Sequence, residues 1–531
     1  MTASIGNVNK EMTLLPTHVA RCWRTAFWIA WTVVLVAKIA LAWQLAPFGD
    51  EAWYWQESRH LAMGYSDVPP LTAWLIAFSE TLLGHSALAM RAPFLLLGAL
   101  LPLVMVRLTA RLYGAGFGWC AGLVTLGVPL LGTLGIFALP DVPLTFAAAL
   151  ALAAIERAAA THRLRDWSLL GCALALAWLA HYRAAMLLAA GLVFLLATPR
   201  GRALWRDPGL WLALVISAVG MFPALIFNAT HHWAALDFQL LERNPWRFHA
   251  DALVQPLEQA LVCTPLFYVL LLWALWQVWK RRRYGAPWDL FVCCAAVPIV
   301  VYFVLGLFAD DARFRAHWPL PGYLPLLVVL PALLSQARFA RWMRGTTFGL
   351  LALGGALAFA YLGLAAVPGG TTALAQMKAF PQQLVGWREV AEQTRHLLAQ
   401  PRFEHSVLVA DNFMLAAELD FALDGAHSVY TLDHPLNAKH GRAPQLAIWR
   451  RDEAGLRALG PQPVLLVAEP GARRERDRAA WLDTLCSRIA ELAPVARLDS
   501  YAGRKRYRWY SGSVVTSARI ESNPGCIAVQ P

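Results

Sequence analysis

Repeated apolar runs of membrane-spanning length are the feature that most constrains how this chain can fold. Between about residues 24 and 367, runs such as Phe27–Leu45, Leu261–Trp279 and Phe348–Val367 alternate with short polar segments. A helix needs about 20 apolar residues to cross a ~30 Å hydrocarbon core. With 58% hydrophobic and 15% charged residues, the chain is too apolar for an ordinary soluble domain. The pattern predicts a polytopic α-helical membrane protein, and its first run is too long for a cleaved signal peptide.

The positions of lysine and arginine predict how the spans are oriented. The net charge is +12, but the basic residues concentrate in alternate gaps between apolar runs. This is the positive-inside pattern rather than a nucleic-acid footprint, so no nucleic-acid partner is expected. The parity puts the N-terminus in the cytoplasm and predicts about eleven spans, near residues 24–46, 88–106, 114–138, 142–156, 167–180, 183–198, 209–228, 257–279, 288–308, 317–335 and 346–367.

The number of spans within residues 167–198 decides on which side of the membrane the later basic clusters lie. A single span there would move every later basic cluster, including Lys280–Arg283, to the outer side. We therefore predict two short spans with a tip at His181–Arg183. The apolar stretch Leu71–Leu83 is predicted to lie at the membrane interface, because a further span would break the same parity.

Composition divides the chain into three parts. We predict a cytoplasmic tail at 1–23, a transmembrane domain at 24–368 with interfacial helices at about 51–84, and a periplasmic α/β domain at 369–531. The last part is mixed and charged, without a run of spanning length. Its periodicities predict strands and helices at Val407–Ala410, Val429–Leu432, Val464–Ala468, Pro381–Ala399 and Arg474–Leu492.

Two features of this last part stay open at the level of sequence. Cys486 and Cys526 would lie in an oxidising compartment, where they either pair or remain two free thiols. The polar segment Asn437–Gln445 is interpreted as an exposed loop, and the alternative is that it covers a site in the membrane domain.

The first predicted outer loop carries an acidic pair, Asp50 and Glu51, directly after the first span. Asp50 is a suitable N-cap for a short helix that begins at Glu51. On that helix Asp50, Tyr54 and Glu57 share one face, because they are four and three residues apart. The alternative is a capped interfacial helix with solvated acids.

Two further acids follow in separate outer loops. Asp67 precedes a pair of prolines, and Asp141 lies between two prolines at the outer end of a span. A turn-forming aspartate and a helix cap are the plain alternatives, but an acid at membrane depth is costly unless it is paired or functional. Carboxylates from several loops can hold a divalent cation or act as a general base. Cationic partners for an anionic substrate are available on the same predicted side, namely His181, Arg183, Arg313, Arg315 and His317.

Several common sites are missing from the sequence. There is no zinc-type ligand spacing, no Walker loop, no dinucleotide-binding glycine turn and no Gly-x-Ser-x-Gly elbow. The sequence therefore predicts a reaction without a nucleotide cofactor.

Taken in order, three motifs resemble bacterial membrane glycosyltransferases of the C-type superfamily, specifically the family-39-like proteins related to protein mannosyltransferases and the lipid A aminoarabinose transferase. They are Asp50-Glu51-Ala-Trp-Tyr-Trp, Gly64-Tyr65-Ser-Asp67-Val-Pro-Pro and Pro140-Asp141-Val-Pro. The resemblance implies an inverting transferase of the bacterial inner membrane with the C-type glycosyltransferase fold. Its donor would be a polyprenyl-phosphate sugar, and its acceptor a glycolipid such as lipid A, a polysaccharide or a protein.

The resemblance also implies roles for single residues. Asp50, with Glu51 beside it, would be the catalytic acid pair. Asp67 and Asp141 would orient substrate or hold a cation, and the other expected orienting residues are Tyr65 and Glu57. The donor phosphate would be bound by Arg183, His181, Arg313, Arg315 and His317. An apolar groove between spans would hold the prenyl chain.

One departure from the family pattern and one alternative function remain. Val68 stands where relatives often carry a basic residue, which leaves the contacts to the donor phosphate open. The alternative is a polytopic transporter or flippase for a lipid-linked or small anionic substrate. Transporters usually place ionisable residues at mid-span or show repeats, whereas the acids of this chain cluster at outer span ends.

Overall fold

The computed structural model describes residues 17–242, 246–308, 317–335, 341–377, 380–472 and 475–515. Two compact units are distinguished. The first comprises the chain up to Ala42, Val68–Thr72 and Arg91–Ala360. The second comprises Trp43–Asp67, Ala73–Met90 and the chain from Tyr361 onward. The first outer loop is thus grouped with the C-terminal part of the chain, although we had placed its helices in the transmembrane domain.

Long apolar helices confirm the predicted polytopic membrane fold. Within the described residues, six helices are long and apolar enough to cross a membrane, and up to eight are if each of two bent pairs forms one span. The six are Thr17–Gln44, Ala87–Tyr113, Asp141–Thr161, Pro208–Thr230, Trp288–Phe308 and Arg341–Ala366. The other helices of the first unit are Ala115–Gly127, Pro129–Gly132, Leu164–Ala180, Ala185–Ala197, Pro199–Ala203, Ala234–Asp237, Gln255–Cys263, Pro265–Arg281 and Leu320–Leu334.

Two predicted spans are broken where a proline follows. The expected helix over 114–138 ends at Gly127, and Val128 before Pro129 has an extended backbone. The expected span 257–279 divides at Thr264, before Pro265, and its two halves are bent by 111°. The residue before proline clashes with the proline ring in the helical conformation, which explains both breaks.

The predicted tip at His181–Arg183 is confirmed as a break between two helices. Leu164–Ala180 ends before His181, and Ala185–Ala197 begins after a single turn of 3₁₀ helix. The core of this unit lies around helix Leu320–Leu334, in which almost every residue is buried. A helix that is apolar all round is typical of a fully enclosed position.

The second unit is built around one five-stranded sheet. Its strand order is β2-β1-β3-β5-β4, with β1 parallel to β2 and β3, and β5 antiparallel to β3 and β4. The strands are β1 Val407–Ala410, β2 Val429–Thr431, β3 Pro463–Ala468, β4 Ile489–Ser500 and β5 Lys505–Val514. The helices of this unit are Gly49–Arg59, Pro368–Ala375, Trp387–Leu398, Phe413–Ala422, Pro435–Lys439, Ala443–Ile448, Glu453–Arg457 and Arg478–Arg488, and the predicted interfacial helix Leu71–Leu83 also falls mainly here.

Both faces of the central strands are buried. Along β3, Leu465 and Val467 lie in one apolar cluster, whereas Val464 and Leu466 lie in another. Alternate side chains of a strand point to opposite faces, so helices cover the sheet on both sides. This two-sided burial explains why the central strands appear in the sequence as continuous apolar runs.

The three predicted strands are confirmed, but both predicted helices are wrong at one or both ends. The helix expected over Pro381–Ala399 covers only Trp387–Leu398. The helix expected over Arg474–Leu492 covers only Arg478–Arg488, and β4 follows directly. The residues from Ile489 onward pair with β5, which supplies the hydrogen-bonding edge that β4 needs. Cys486 in this helix is disulfide-bonded, while Cys526 lies outside the described residues.

Candidate active site

The first-loop helix, Gly49–Arg59, packs on helix Phe413–Ala422 of the same unit. Gly49 allows the close approach, because a Cβ atom there would lie 2.7 Å from Met414 Cγ. Gln56 Nε2 donates to Asp420 Oδ2 over 2.8 Å. These contacts fix the helix on the sheet domain. Asp50 is not its N-cap as predicted, because the helix begins one residue earlier, at Gly49, with Phe48 as the N-cap.

Asp50, Glu57 and Asp67 meet at one arginine, Arg442. The guanidinium group of Arg442 lies 2.5 Å from Asp67 Oδ2, 3.5 Å from Asp50 Oδ1 and 3.6 Å from Glu57 Oε1. The hydroxyl of Tyr54 is 3.4 Å from Arg442 Nη2. The predicted common face of Asp50, Tyr54 and Glu57 is therefore confirmed. These three carboxylates with Arg442 and Tyr54 are called the carboxylate cluster below.

Arg442 was missed by sequence reasoning, because it lies in the segment interpreted as an exposed loop. That interpretation is wrong: only 3% of Arg442 is exposed. Its backbone N–H donates to the Asn437 carbonyl over 2.7 Å, and the Ser66 hydroxyl donates to the Gly441 carbonyl over 2.5 Å. The guanidinium also lies over the Trp53 ring, 5.0 Å from its centre. Segment Asn437–Gln445 is thus bound to the same loop that carries Asp67.

The members of the carboxylate cluster differ in their burial and in the charges around them. Burial, together with the nearby negative charge of Asp67, raises the pKa of Glu57 well above its usual value, although Arg442 partly offsets this. Burial alone would lower the pKa of Arg442, but the surrounding acids, Asp67 foremost, raise it. Asp50 is different, because 29% of its side chain is exposed. Asp50 is therefore the carboxylate of this cluster that an acceptor can reach.

Two other predicted residues lie beside the cluster. Glu51 is fully buried, and it is not one of the three carboxylates at Arg442. The Tyr65 hydroxyl donates to the backbone carbonyl of Glu57 over 2.8 Å. Tyr65 thus ties the loop that carries Asp67 to the end of the first-loop helix.

The first unit contains a second polar group around Asp141, called the Asp141 cluster below. The Arg183 guanidinium forms an ion pair with Asp141, and His317 Nε2 lies 3.4 Å from the same carboxylate. His181 Nδ1 accepts a hydrogen bond from the Arg183 backbone N–H over 3.1 Å. Arg183 also lies over the ring of Trp318, 5.8 Å from its centre. Four predicted residues from three separate loops therefore lie together.

Two buried cations hold the loop that leads to Asp141. Lys38 Nζ donates to the Leu134 carbonyl over 2.7 Å, and Arg91 lies over the Phe137 ring, 5.5 Å from its centre. Lys38 was also missed, although a lysine inside an otherwise apolar span is itself a signal, because charge in a membrane is costly unless it has a structural or functional partner.

An apolar cavity adjoins the residues that follow the Asp141 cluster. Its volume is about 480 Å³. Ala185 lines it two residues after Arg183, and Pro321 lines it four residues after His317. Leu152, Leu174, Leu188, Ala213 and Leu214 are among the other lining residues. The first unit thus contains a polar cluster with an arginine and, a few residues further along the same segments, an apolar cavity that suits a hydrocarbon chain.

Binding of a divalent cation by Asp67 and Asp141 stays a prediction. In the described ranges, no three His, Cys, Asp or Glu side chains are grouped so that they could hold a metal ion. Asp67 and Asp141 each have an arginine as ion-pair partner instead. Arg313 and Arg315, predicted to bind phosphate, lie outside the described residues.

Comparison with known proteins bears on this arrangement. Residues 67–227 match the family model described as dolichyl-phosphate-mannose-protein mannosyltransferase. A lipid A galacturonosyltransferase, RgtD of Rhizobium johnstonii, is 26% identical over 399 residues, which cover 72% of this chain and 79% of RgtD. The predicted resemblance to membrane glycosyltransferases is confirmed. The matched range of the family model includes Asp67, Asp141, His181 and Arg183.

Solved structures show the same fold. ArnT from Cupriavidus metallidurans, bound to undecaprenyl phosphate, has a TM-score of 0.66 and 17% identity, over 94% of this chain and 99% of ArnT. Its apo state has a TM-score of 0.63 and 18% identity, over 95% and 100%. At this level of identity the likeness establishes the fold, and the roles of single residues need their own argument.

Proposed function

We propose that this protein is an inverting glycosyltransferase that moves a sugar from a polyprenyl-phosphate donor to lipid A. The observation that carries the proposal is the apolar cavity whose lining begins two residues after Arg183 and four residues after His317. A polyprenyl phosphate has one anionic head on a long hydrocarbon chain, and the cluster and the cavity offer one partner for each part. Lipid A is the acceptor named for RgtD, the relative that matches most of this chain.

Arg183 and His317 are the proposed partners of the donor phosphate. When the bond between the anomeric carbon and the phosphate oxygen breaks, its electron pair stays on the phosphate, which gains negative charge. Cationic side chains near that oxygen stabilise the charge as it develops. Asp141 holds both side chains in place.

Asp50 is the proposed general base. The acceptor hydroxyl or phosphate attacks the anomeric carbon from the side opposite to the leaving phosphate, and Asp50 takes the proton of a hydroxyl acceptor or orients a phosphate acceptor. Its partial exposure makes it accessible, and the Arg442 guanidinium lies 3.5 Å from its Oδ1 atom. A positioned general base typically contributes about 10²–10⁴-fold to the rate.

The membrane arrangement is part of the same proposal. The six long helices and the two bent pairs give eleven passes when three shorter helices of the first unit are counted with them, namely Ala115–Gly127, Leu164–Ala180 and Leu320–Leu334. The N-terminus would then be cytoplasmic, and the sheet domain periplasmic. This orientation places both clusters on the outer side of the bacterial inner membrane.

A divalent cation remains a prediction that has its own test. A cation bound at Asp67 or Asp141 would compete with an arginine for the same oxygens, so no step of the mechanism is assigned to it. Transfer that is lost with EDTA and restored by one added metal would establish the requirement.

Reconstituted transfer tests the function. The full-length protein in proteoliposomes receives polyprenyl-phosphate sugars of several types, with lipid A as the acceptor, and lipid A is analysed by mass spectrometry. The proposal predicts a mass gain of one sugar residue with at least one donor, and inversion at the anomeric carbon. Movement of a labelled donor across the bilayer without transfer would favour the flippase alternative.

A further inference from the structure

A second large cavity lies between helices of the first unit, at its most basic face. Its volume is about 770 Å³, within the range of about 300–1,000 Å³ that is typical of small-molecule sites. Its lining combines apolar wall residues such as Val193, Val292 and Val297 with arginines at the rim. Neither the Asp141 cluster nor the cavity beside it shares a residue with this lining.

The rim is made by two basic segments that are far apart in sequence. Arg200 comes from the segment after helix Ala185–Ala197, whereas Arg282 and Arg283 come from the end of helix Pro265–Arg281. Charge counting had predicted both segments on the cytoplasmic side. The fold brings them around the mouth of one cavity, which the sequence alone does not predict.

Of the three arginines at the rim, only Arg200 is balanced by an acid within the described residues. Arg200 is engaged, because its Nε and Nη2 atoms donate to the two oxygens of Asp289 over 3.0 and 2.8 Å. Asp289 is buried and is neutralised by this pair. In the part of the chain that the structure describes, Arg282 and Arg283 have no carboxylate within ion-pair distance. The mouth therefore carries a net positive charge.

Two aromatic residues indicate at which level of the membrane the mouth of this cavity lies. Trp279 and Tyr284 line the cavity, and about half of each side chain is exposed. Tryptophan and tyrosine concentrate at the headgroup level of membranes, because their rings are amphipathic. A ligand at this place would meet arginines at headgroup level and an apolar wall at acyl-chain level.

We infer that this cavity binds an anionic phospholipid, with the phosphate beside Arg282 and Arg283 and one acyl chain along Val193 and Val297. Basic pockets between transmembrane helices on the cytoplasmic side are a known way to hold such headgroups. A zwitterionic headgroup fits less well, because its ammonium group would face arginines without a carboxylate partner. The inference needs only the membrane placement of the first unit, not the proposed transfer reaction.

Native mass spectrometry of the full-length protein tests this site. The protein in detergent is titrated with phosphatidylglycerol, and with phosphatidylcholine of the same acyl chains. The double variant Arg282→Gln and Arg283→Gln should weaken phosphatidylglycerol binding about tenfold or more, because it removes two charge-assisted contacts. The matched control, Arg202→Gln with Arg206→Gln, removes the same charge from the same basic face but does not line the cavity. It should change binding by less than about twofold.

Three outcomes would overturn the inference. Equal losses in the two double variants would show diffuse surface attraction instead of a site. Displacement of the lipid by inorganic phosphate would show that the acyl chain is not bound in the cavity. Displacement by polyprenyl phosphate at equal concentration would assign the cavity to the donor carrier. As a second readout, added phosphatidylglycerol should raise the unfolding temperature of the wild type and of the control, but not that of the Arg282/Arg283 variant.

Discussion

Replacing Arg442 by glutamine removes the cation that Asp50, Glu57 and Asp67 share. Arg442 is almost fully buried, and so are Glu57 and Asp67, so water cannot take over its role. Removing one partner of a buried ion pair typically costs about 3–5 kcal/mol. Because Asp50 is partly exposed and Glu57 already favours its neutral form, the lower end, about 3 kcal/mol, is expected.

Hydrogen exchange on peptides from helix Gly49–Arg59 measures this loss of stability in the helix that carries Asp50 and Glu57. A loss of about 3 kcal/mol corresponds to roughly a hundredfold faster exchange, since each 1.4 kcal/mol is about a factor of ten. Arg402→Gln is the control, because it removes one exposed charge of the same unit. Arg442→Lys should fall between the two, since an ammonium group cannot form the same fork of hydrogen bonds.

The pH dependence of the Arg442→Gln variant gives a second check. Without the guanidinium, the buried Asp67 carboxylate loses this ion-pair partner, and its protonation would relieve the cost of burying the charge. A group with a raised folded pKa loses its stabilising contribution as the pH rises through that value. The deficit of the variant should therefore shrink as the pH falls from about 8 to 5. Equal protection of wild type and variant at neutral pH would refute the assigned role of Arg442.

Three further predictions concern single residues of the two clusters. Glu57→Gln should change exchange in the first-loop helix by less than about threefold at pH 7, because burial and Asp67 already favour the protonated form of Glu57; a loss as large as that of Arg442→Gln would contradict the raised pKa. Arg183→Gln should lower transfer by about 10²–10³-fold, measured in single-turnover assays at saturating donor; an unchanged rate would remove Arg183 from the leaving-group role. Glu51→Gln should leave the donor KM unchanged even if it lowers the yield of folded protein, because Glu51 is fully buried; a selective rise in KM would show that Glu51 touches substrate.

Much of the membrane fold can be predicted from the sequence, because its signals are local. Run length predicts the long helices, and the parity of basic residues predicts the tip at His181–Arg183. The breaks at Pro129 and Pro265 also have a local cause, which hydropathy averaging over a whole run conceals. A proline alone does not predict such a break, because Pro93, Pro223 and Pro298 lie inside continuous helices.

One part of the candidate site follows from the spacing of neighbouring residues in the sequence. The other part depends on residues that are far apart in the sequence. The spacing of Asp50, Tyr54 and Glu57 correctly predicts a shared helix face. Their partner Arg442 is 392 residues from Asp50 in the sequence, and no periodicity links the two. Strand β4 could not be predicted from its own residue pattern either, because it depends on hydrogen bonds from β5.

The mass of lipid A from cells tests the central claim most directly. Cells that make the wild-type protein, the Asp50→Asn variant or no protein are compared by mass spectrometry, with membrane insertion of the variant verified by reporter fusions. The account predicts one additional sugar residue on lipid A only with the wild type, and a variant that inserts normally but adds none. Identical lipid A in all three strains would contradict lipid A as the acceptor, and full modification with Asp50→Asn would contradict the catalytic role of Asp50.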